Sequence, residues 1–308
     1  MAKLFPPRPQ YDKERASFAY PIFACFAVLF AARCIDKFFG IDLGGMLAVL
    51  VISLLAFLVP ALAFIKWRGH GYMRTLRFSP IRPTHIPLLV FAFLALFAAS
   101  TLLPILFGGA DTVGNSTTAF ESVTLGNVGK VVLMIPTLAL VPAFLEELLF
   151  RGVLCSELDR RGMLRTVIVS ALLFALVHFD LANFPFYLFA GALLALVVYA
   201  TDSIVSAMIL HAAYNLASLF GRRYLNTFYR FTGSAELFLF LLILLLLVAL
   251  LLAAAECARL YRLRARMGVK EPRRNIPASV QLYTFLDALC EWPVIACIVL
   301  SIVGFIVL

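Results

Sequence analysis

Apolar stretches of about 20 residues recur along this chain and leave little else for it to fold into. They cover residues 18–32, 43–65, 86–107, 128–158, 164–178, 184–200, 204–219, 237–255 and 285–308. A helix rises 1.5 Å per residue, so about 20 residues cross the roughly 30 Å hydrocarbon core of a bilayer. The runs do not alternate apolar with polar, as barrel strands do, and a lone strand would leave its backbone unsatisfied in lipid. Hydrophobic residues make up 63% of the chain, well above the roughly half found in soluble domains. The expected fold is therefore all-α, a polytopic helical membrane protein with about 8–9 transmembrane helices. Residues 1–308 read as a single membrane domain. The first stretch ends at Arg33-Cys34 without a small-residue cleavage site, so it reads as an uncleaved span rather than a signal peptide.

The net charge of +9 belongs to the connections between these stretches. Basic residues cluster in the N-terminal tail, in 66–82, around Arg160, Arg161 and Arg165, and in 259–274. Nine spans with a cytoplasmic N-terminus put all four clusters on one side, as the positive-inside rule asks. That reading places the protein in the cell (plasma) membrane as a multi-pass protein. Arg222, Arg223 and Arg230 then break the pattern, because they fall in an apparent outer loop. Residues 108–127, rich in Gly, Ser, Thr and Asn, read as another outer loop. No basic segment is interleaved with aromatics in a soluble module, so nucleic acid is not an expected partner. The six cysteines form no CxxC pair and read as small hydrophobes rather than disulfides or a thiolate metal site.

A few polar residues interrupt the spans. A charge near a helix centre costs about 2.5–3.5 kcal/mol on insertion scales, so each needs a reason to be there. Glu146 and Glu147 adjoin in the fourth stretch, with Glu147 four residues before Arg151. Glu147 and Arg151 share a helix face at i,i+4 and can pair, which by itself reads equally well as helix-to-helix glue. Glu146 points about 100° away with no charged partner at that spacing. His178 ends the fifth stretch, and His211 and Asn215 share a face of the seventh. A lone histidine in a membrane helix is commonly an interhelical hydrogen-bonding group. His70 and His85 lie in a basic connection or at its edge and receive no role. Counted from the turns at 160–162 and 202, Glu146, His178, His211 and Asn215 lie at roughly 20, 25, 14 and 20 Å of helical rise. Residues at one depth on three helices suit a site.

These residues, Glu146-Glu147-x-x-x-Arg151, Phe174-x-x-x-His178 and His211-x-x-x-Asn215, resemble the three motifs of the CPBP family. This is the CAAX-protease-like (Abi) group of intramembrane proteases, which includes the eukaryotic Ras-converting CAAX endopeptidases. The resemblance covers 128–219, the expected catalytic core, and every motif position is filled. It implies a helical membrane fold and endopeptidase activity, and it carries the catalytic positions over to Glu146, His178, His211 and Asn215.

The chemistry suits those assignments. Peptide hydrolysis needs an activated water and a stabilised oxyanion. Glu146 is the expected base, with His178 positioning the water and His211 and Asn215 donating to the oxyanion. Glu147 and Arg151 support the helix turn. No cofactor is expected in this scheme. The alternative is a zinc-dependent, metalloprotease-like version with Glu146, His178 and His211 as ligands, although no HExxH helix is present. A non-catalytic immunity protein or a transporter with a proton relay are the competing classes. The expected partners are a peptide or lipidated protein substrate and the lipid bilayer, reached through a cavity opening towards the cytoplasm.

Overall fold

The computed structural model describes residues 19–40, 45–108, 132–159, 162–268 and 278–307. Among them every regular element is helical, as an apolar chain without alternating polarity requires. The helices are α1 (Ala19–Phe39), α2 (Met46–Arg68), α3 (Ile86–Gly108), α4 (Val132–Leu158), α5 (Met163–Leu176), α6 (Phe184–Thr201), α7 (Ile204–Thr232), α8 (Ala235–Arg266), α9 (Ala278–Leu289) and α10 (Trp292–Val307). Six described helices are long and apolar enough to cross a membrane: α2, α3, α4, α6, α7 and α8. α5 and α10 are shorter apolar helices, and α1 adds 21 residues. The chain is a polytopic helical membrane protein. The N-terminal tail, the loop at 109–127, Arg160, Arg161 and 269–274 lie outside the described residues.

Three expected boundaries move, each for a local reason. The last stretch is two helices, because Pro293 opens α10 and Glu291 accepts from Val294 and Ile295 at 2.9 and 3.0 Å. Proline is favoured in a first turn, where its missing N–H costs nothing. α5 ends at Leu176, so His178 sits in the turn beyond it. α7 runs on to Thr232 and turns at Gly233, whose φ is 69°. The segment holding Arg222, Arg223 and Arg230 is therefore helix rather than loop, and loop-charge counting does not apply to it.

α3 packs along α8, α5 against α6, and α1 against α10. One apolar core gathers α1, α2, α4, α5 and α10, and a second gathers α3, α6, α7 and α8. The basic connection between α2 and α3 folds back over the helix ends. Arg77 Nη2 donates to Asp159 Oδ2 at 2.5 Å, and the Arg77 carbonyl accepts from Ile204 N at 3.1 Å. Ser203 Oγ donates to the Ser79 carbonyl at 2.5 Å. Arg264 reaches the Tyr199 carbonyl at 2.8 Å, and Arg259 reaches the Thr84 carbonyl at 2.7 Å. The described parts of three basic clusters thus lie on one face of the bundle, as the sequence suggested.

α5 and α6 approach closely at Gly191. A Cβ there would stand 2.8 Å from Ala171 Cα and 3.2 Å from the Ala171 carbonyl oxygen, both backbone atoms that only a helix shift can move. At Gly152 of α4 the nearest atom to an added Cβ is Leu148 Cδ1 at 3.6 Å, an ordinary contact. Gly191→Ala is expected to destabilise by about 1–3 kcal/mol through overpacking, whereas Gly152→Ala leaves stability unchanged or raised. Thermal unfolding in detergent checks the contrast, and equal midpoints for the two variants would contradict the close approach.

Candidate functional site

The site begins with two neighbouring carboxylates on α4 that face different partners. They close the short segment Val141–Glu147, which lies between two wide π-helical stretches, Ile135–Leu140 and Leu148–Leu154. Such turns are rare in helices and frequent at functional sites. Glu147 and Arg151 are fully buried. Arg151 Nη1 donates to Glu147 Oε1 at 2.8 Å, and its Nη2 donates to the Gly191 carbonyl at 2.9 Å. Its guanidinium carbon lies 4.4 Å from the centre of the Phe174 ring, within cation–π range. One arginine therefore ties α4 to α5 and α6.

The same Glu147 Oε1 lies 3.0 Å from His211 Nδ1. A carboxylate ion paired with arginine only accepts, so Nδ1 carries the proton and Nε2 is turned away from Glu147. His211 Nε2 faces Glu146 Oε2 at 4.0 Å. That separation is too long for a direct hydrogen bond and suits two groups that share one water. Glu146 Oε2 is buried and accepts no hydrogen bond from the described residues.

His178 stands one ring away. Phe174 is edge-on to both imidazoles, with centroids 5.0 Å from His178 and 6.0 Å from His211. His178 Nδ1 lies 2.7 Å from the Phe174 carbonyl. A carbonyl can only accept, so Nδ1 holds the proton and Nε2 keeps a lone pair. The His178 ring stacks on Tyr187 at 3.9 Å, 15° from parallel, and Arg33 of α1 donates to the His178 carbonyl at 3.0 Å. The chain leaves this turn through Phe179 at φ 50°. Asp180 then accepts from the Asn183 backbone and side chain at 3.1 and 2.8 Å.

Asn215, one turn after His211, donates from Nδ2 to the Ala139 carbonyl in the first π-helical stretch, at 3.2 Å. An amide nitrogen has two hydrogens, so this contact fixes the side chain and leaves one donor. The structure thus joins Glu147, Arg151 and His211 by hydrogen bonds, places Glu146 4.0 Å from His211, and sets His178 across Phe174. The link from Glu147 to His211 was not foreseen, nor were the parts played by Tyr187, Gly191 and the Ala139 carbonyl. Gly191 between two alanines and Tyr187 in an apolar helix were visible signals; nothing in the sequence pointed to Ala139.

Among the described residues, no three His, Cys, Asp or Glu side chains are gathered as a metal ion requires. Glu146, His178 and His211 do not form a three-donor set here. His211 Nδ1 backed by a carboxylate is an arrangement that serves a hydrogen-bonding imidazole and a ligating one equally.

Residues 128–217 match the family model Rce1-like, described as type II CAAX prenyl endopeptidase Rce1-like. The matched segment holds all three motifs and every residue of the constellation, under a third of the chain. The resemblance read from those motifs is borne out, and at family level the segment is similar to that of CAAX-type intramembrane proteases. No curated protein and no solved structure matches the chain.

The buried pair sets a stability test. Arg151→Met leaves Glu147 charged and buried, which costs about 3–5 kcal/mol. Replacing both partners with apolar residues, Glu147→Leu with Arg151→Met, removes that uncompensated charge but leaves His211 Nδ1 and the Gly191 carbonyl without these partners, so it is expected to recover only part of the loss. Unfolding midpoints of the two singles and the double check this, and a double variant less stable than either single would contradict it.

Proposed function

We propose, from that family match and the meeting of Glu146 with His211, that this protein is an intramembrane endopeptidase. It hydrolyses a peptide bond in a membrane-associated or lipidated substrate with water activated by Glu146. The observation that carries this reading is the 4.0 Å gap between Glu146 Oε2 and His211 Nε2, with the imidazole anchored from behind by Glu147.

In this mechanism a water held between the two groups gives its proton to Glu146 as its oxygen attacks the scissile carbonyl carbon. His178, fixed by the Phe174 carbonyl and the Tyr187 ring, accepts through Nε2 and orients that water. As the carbonyl oxygen becomes an oxyanion, the remaining Nδ2 hydrogen of Asn215 donates to it, and so does His211 Nε2–H, the imidazole entering the cycle with a proton on each ring nitrogen. The Glu147 carboxylate at Nδ1 offsets the positive charge of the imidazole. Glu146 then returns its proton to the leaving amine. No step is routed through a metal.

The test uses the full chain in proteoliposomes with lipidated and unlipidated peptides, reading new C-termini by mass spectrometry. Glu146→Gln keeps the shape of the side chain and removes the base, so turnover should fall by about 10²–10⁴-fold. Equal processing by this variant sinks the reading. Activity should also survive a strong chelator, and loss that zinc restores would replace this mechanism with a metal-dependent one.

A further inference from the structure

We infer that α1 and α10, which lie outside the matched segment 128–217, clamp the turn that carries His178 and so set where its imidazole points. Phe179, Gly304, Ser301 and Arg33 are positioning residues for that histidine. The inference rests on the hydrolase reading for what His178 does, but the clamp itself stands on packing.

The clamp begins in the sequence of α10. Val294, Cys297, Ser301 and Gly304 recur at three- and four-residue spacing and are buried, while Ile295, Val299, Ile302 and Ile306 are exposed. That spacing puts the small residues on one face of the helix, where they let another backbone approach closely. α10 runs parallel to α1. Trp292 meets Tyr20 and Phe23 with ring centroids at 5.6 and 5.8 Å, and Lys37 donates to the Val307 carbonyl at 2.6 Å.

These two helices grip the end of α5 and the turn beyond it at three points. Ser301 Oγ lies 2.9 Å from the Cys297 carbonyl of its own helix and 3.2 Å from the Leu176 carbonyl, so its one hydrogen is shared with the end of α5. Arg33 holds the His178 carbonyl at 3.0 Å. The Phe179 ring lies against Gly304, where a Cβ would stand 2.5 Å from Phe179 Cδ1 and 3.3 Å from Cε1. Phe26 and Phe30 of α1 hold the same ring, each with a centroid 5.9 Å away, and Phe179 is buried. A bulky residue at φ 50° persists only where its surroundings fix it. His178 sits between the two held carbonyls and beside the held ring. Its imidazole contacts, with the Phe174 carbonyl at 2.7 Å and the Tyr187 ring at 3.9 Å, both depend on the height of this turn.

Histidine NMR on the full chain in lipid nanodiscs tests the clamp. The chain has only four histidines, and His178→Gln and His211→Gln assign the two signals that matter. In Gly304→Ala the added methyl displaces the Phe179 ring, and the Nδ1 proton of His178 should exchange with water about tenfold faster. The His211 signals, anchored by Glu147, should not move. In a Phe179→Ala background the ring is absent, so adding Gly304→Ala should change nothing further. Unchanged His178 signals in Gly304→Ala overturn the clamp. So does a change shared by all four histidines, which is general unfolding, and so do additive effects of the two substitutions. Turnover supplies a second arm: kcat of Gly304→Ala should fall about tenfold with KM unchanged, since His178 orients water rather than holding the substrate. A rise in KM alone contradicts that role. Proton exchange is read without substrate, so the clamp can fail while Glu146→Gln still abolishes turnover, and can hold where Glu146→Gln processes peptide as the parent does.

Discussion

One buried carboxylate organises this bundle. Glu147 accepts from Arg151 on its own helix and from His211 on α7, and Arg151 reaches on to the Gly191 carbonyl of α6. Three helices are held in register by three side chains, Glu147, Arg151 and His211. In a lipid-exposed fold there is no hydrophobic drive between helices, since acyl chains are as apolar as leucine, and such polar contacts set the register. An isolated charge at this depth would be costly; held through Oε1 by Arg151 and His211, Glu147 becomes a fixed point beside Glu146.

The two faces of the bundle are built differently. On the basic face, backbone and arginine contacts stitch the connection after α2 to the ends of α4, α7 and α8, and Arg264 ties α8 to the end of α6. Away from that face, Arg33 of α1 donates to the His178 carbonyl and Lys37 to the Val307 carbonyl of α10, and α7 carries its polar residues beyond Gly221.

Much of this was legible in the sequence because the spans are long and the polar interruptions few. Helix phase gave the Glu147–Arg151 pair and set Glu146 apart from it, and motif order gave the four candidate positions. What phase cannot give is pairing between helices, so the contact of Glu147 with His211 was hidden. His178 was read as helical because its run is apolar to the end. The chain actually turns through Phe179 in the left-handed region, which frees the imidazole to stack on Tyr187. The arginines after Gly221 were read as a loop because charge usually marks one; a helix that continues beyond its apolar part leaves the same composition.

The central claim is that Glu146 and His211 close on a single water, and a density map of the protein in a lipid nanodisc, at a resolution that shows ordered solvent, tests it most directly. The expected result is one water within hydrogen-bond reach of both Glu146 Oε2 and His211 Nε2. A Glu146 side chain turned towards lipid, or held in a direct ion pair with arginine, would contradict it.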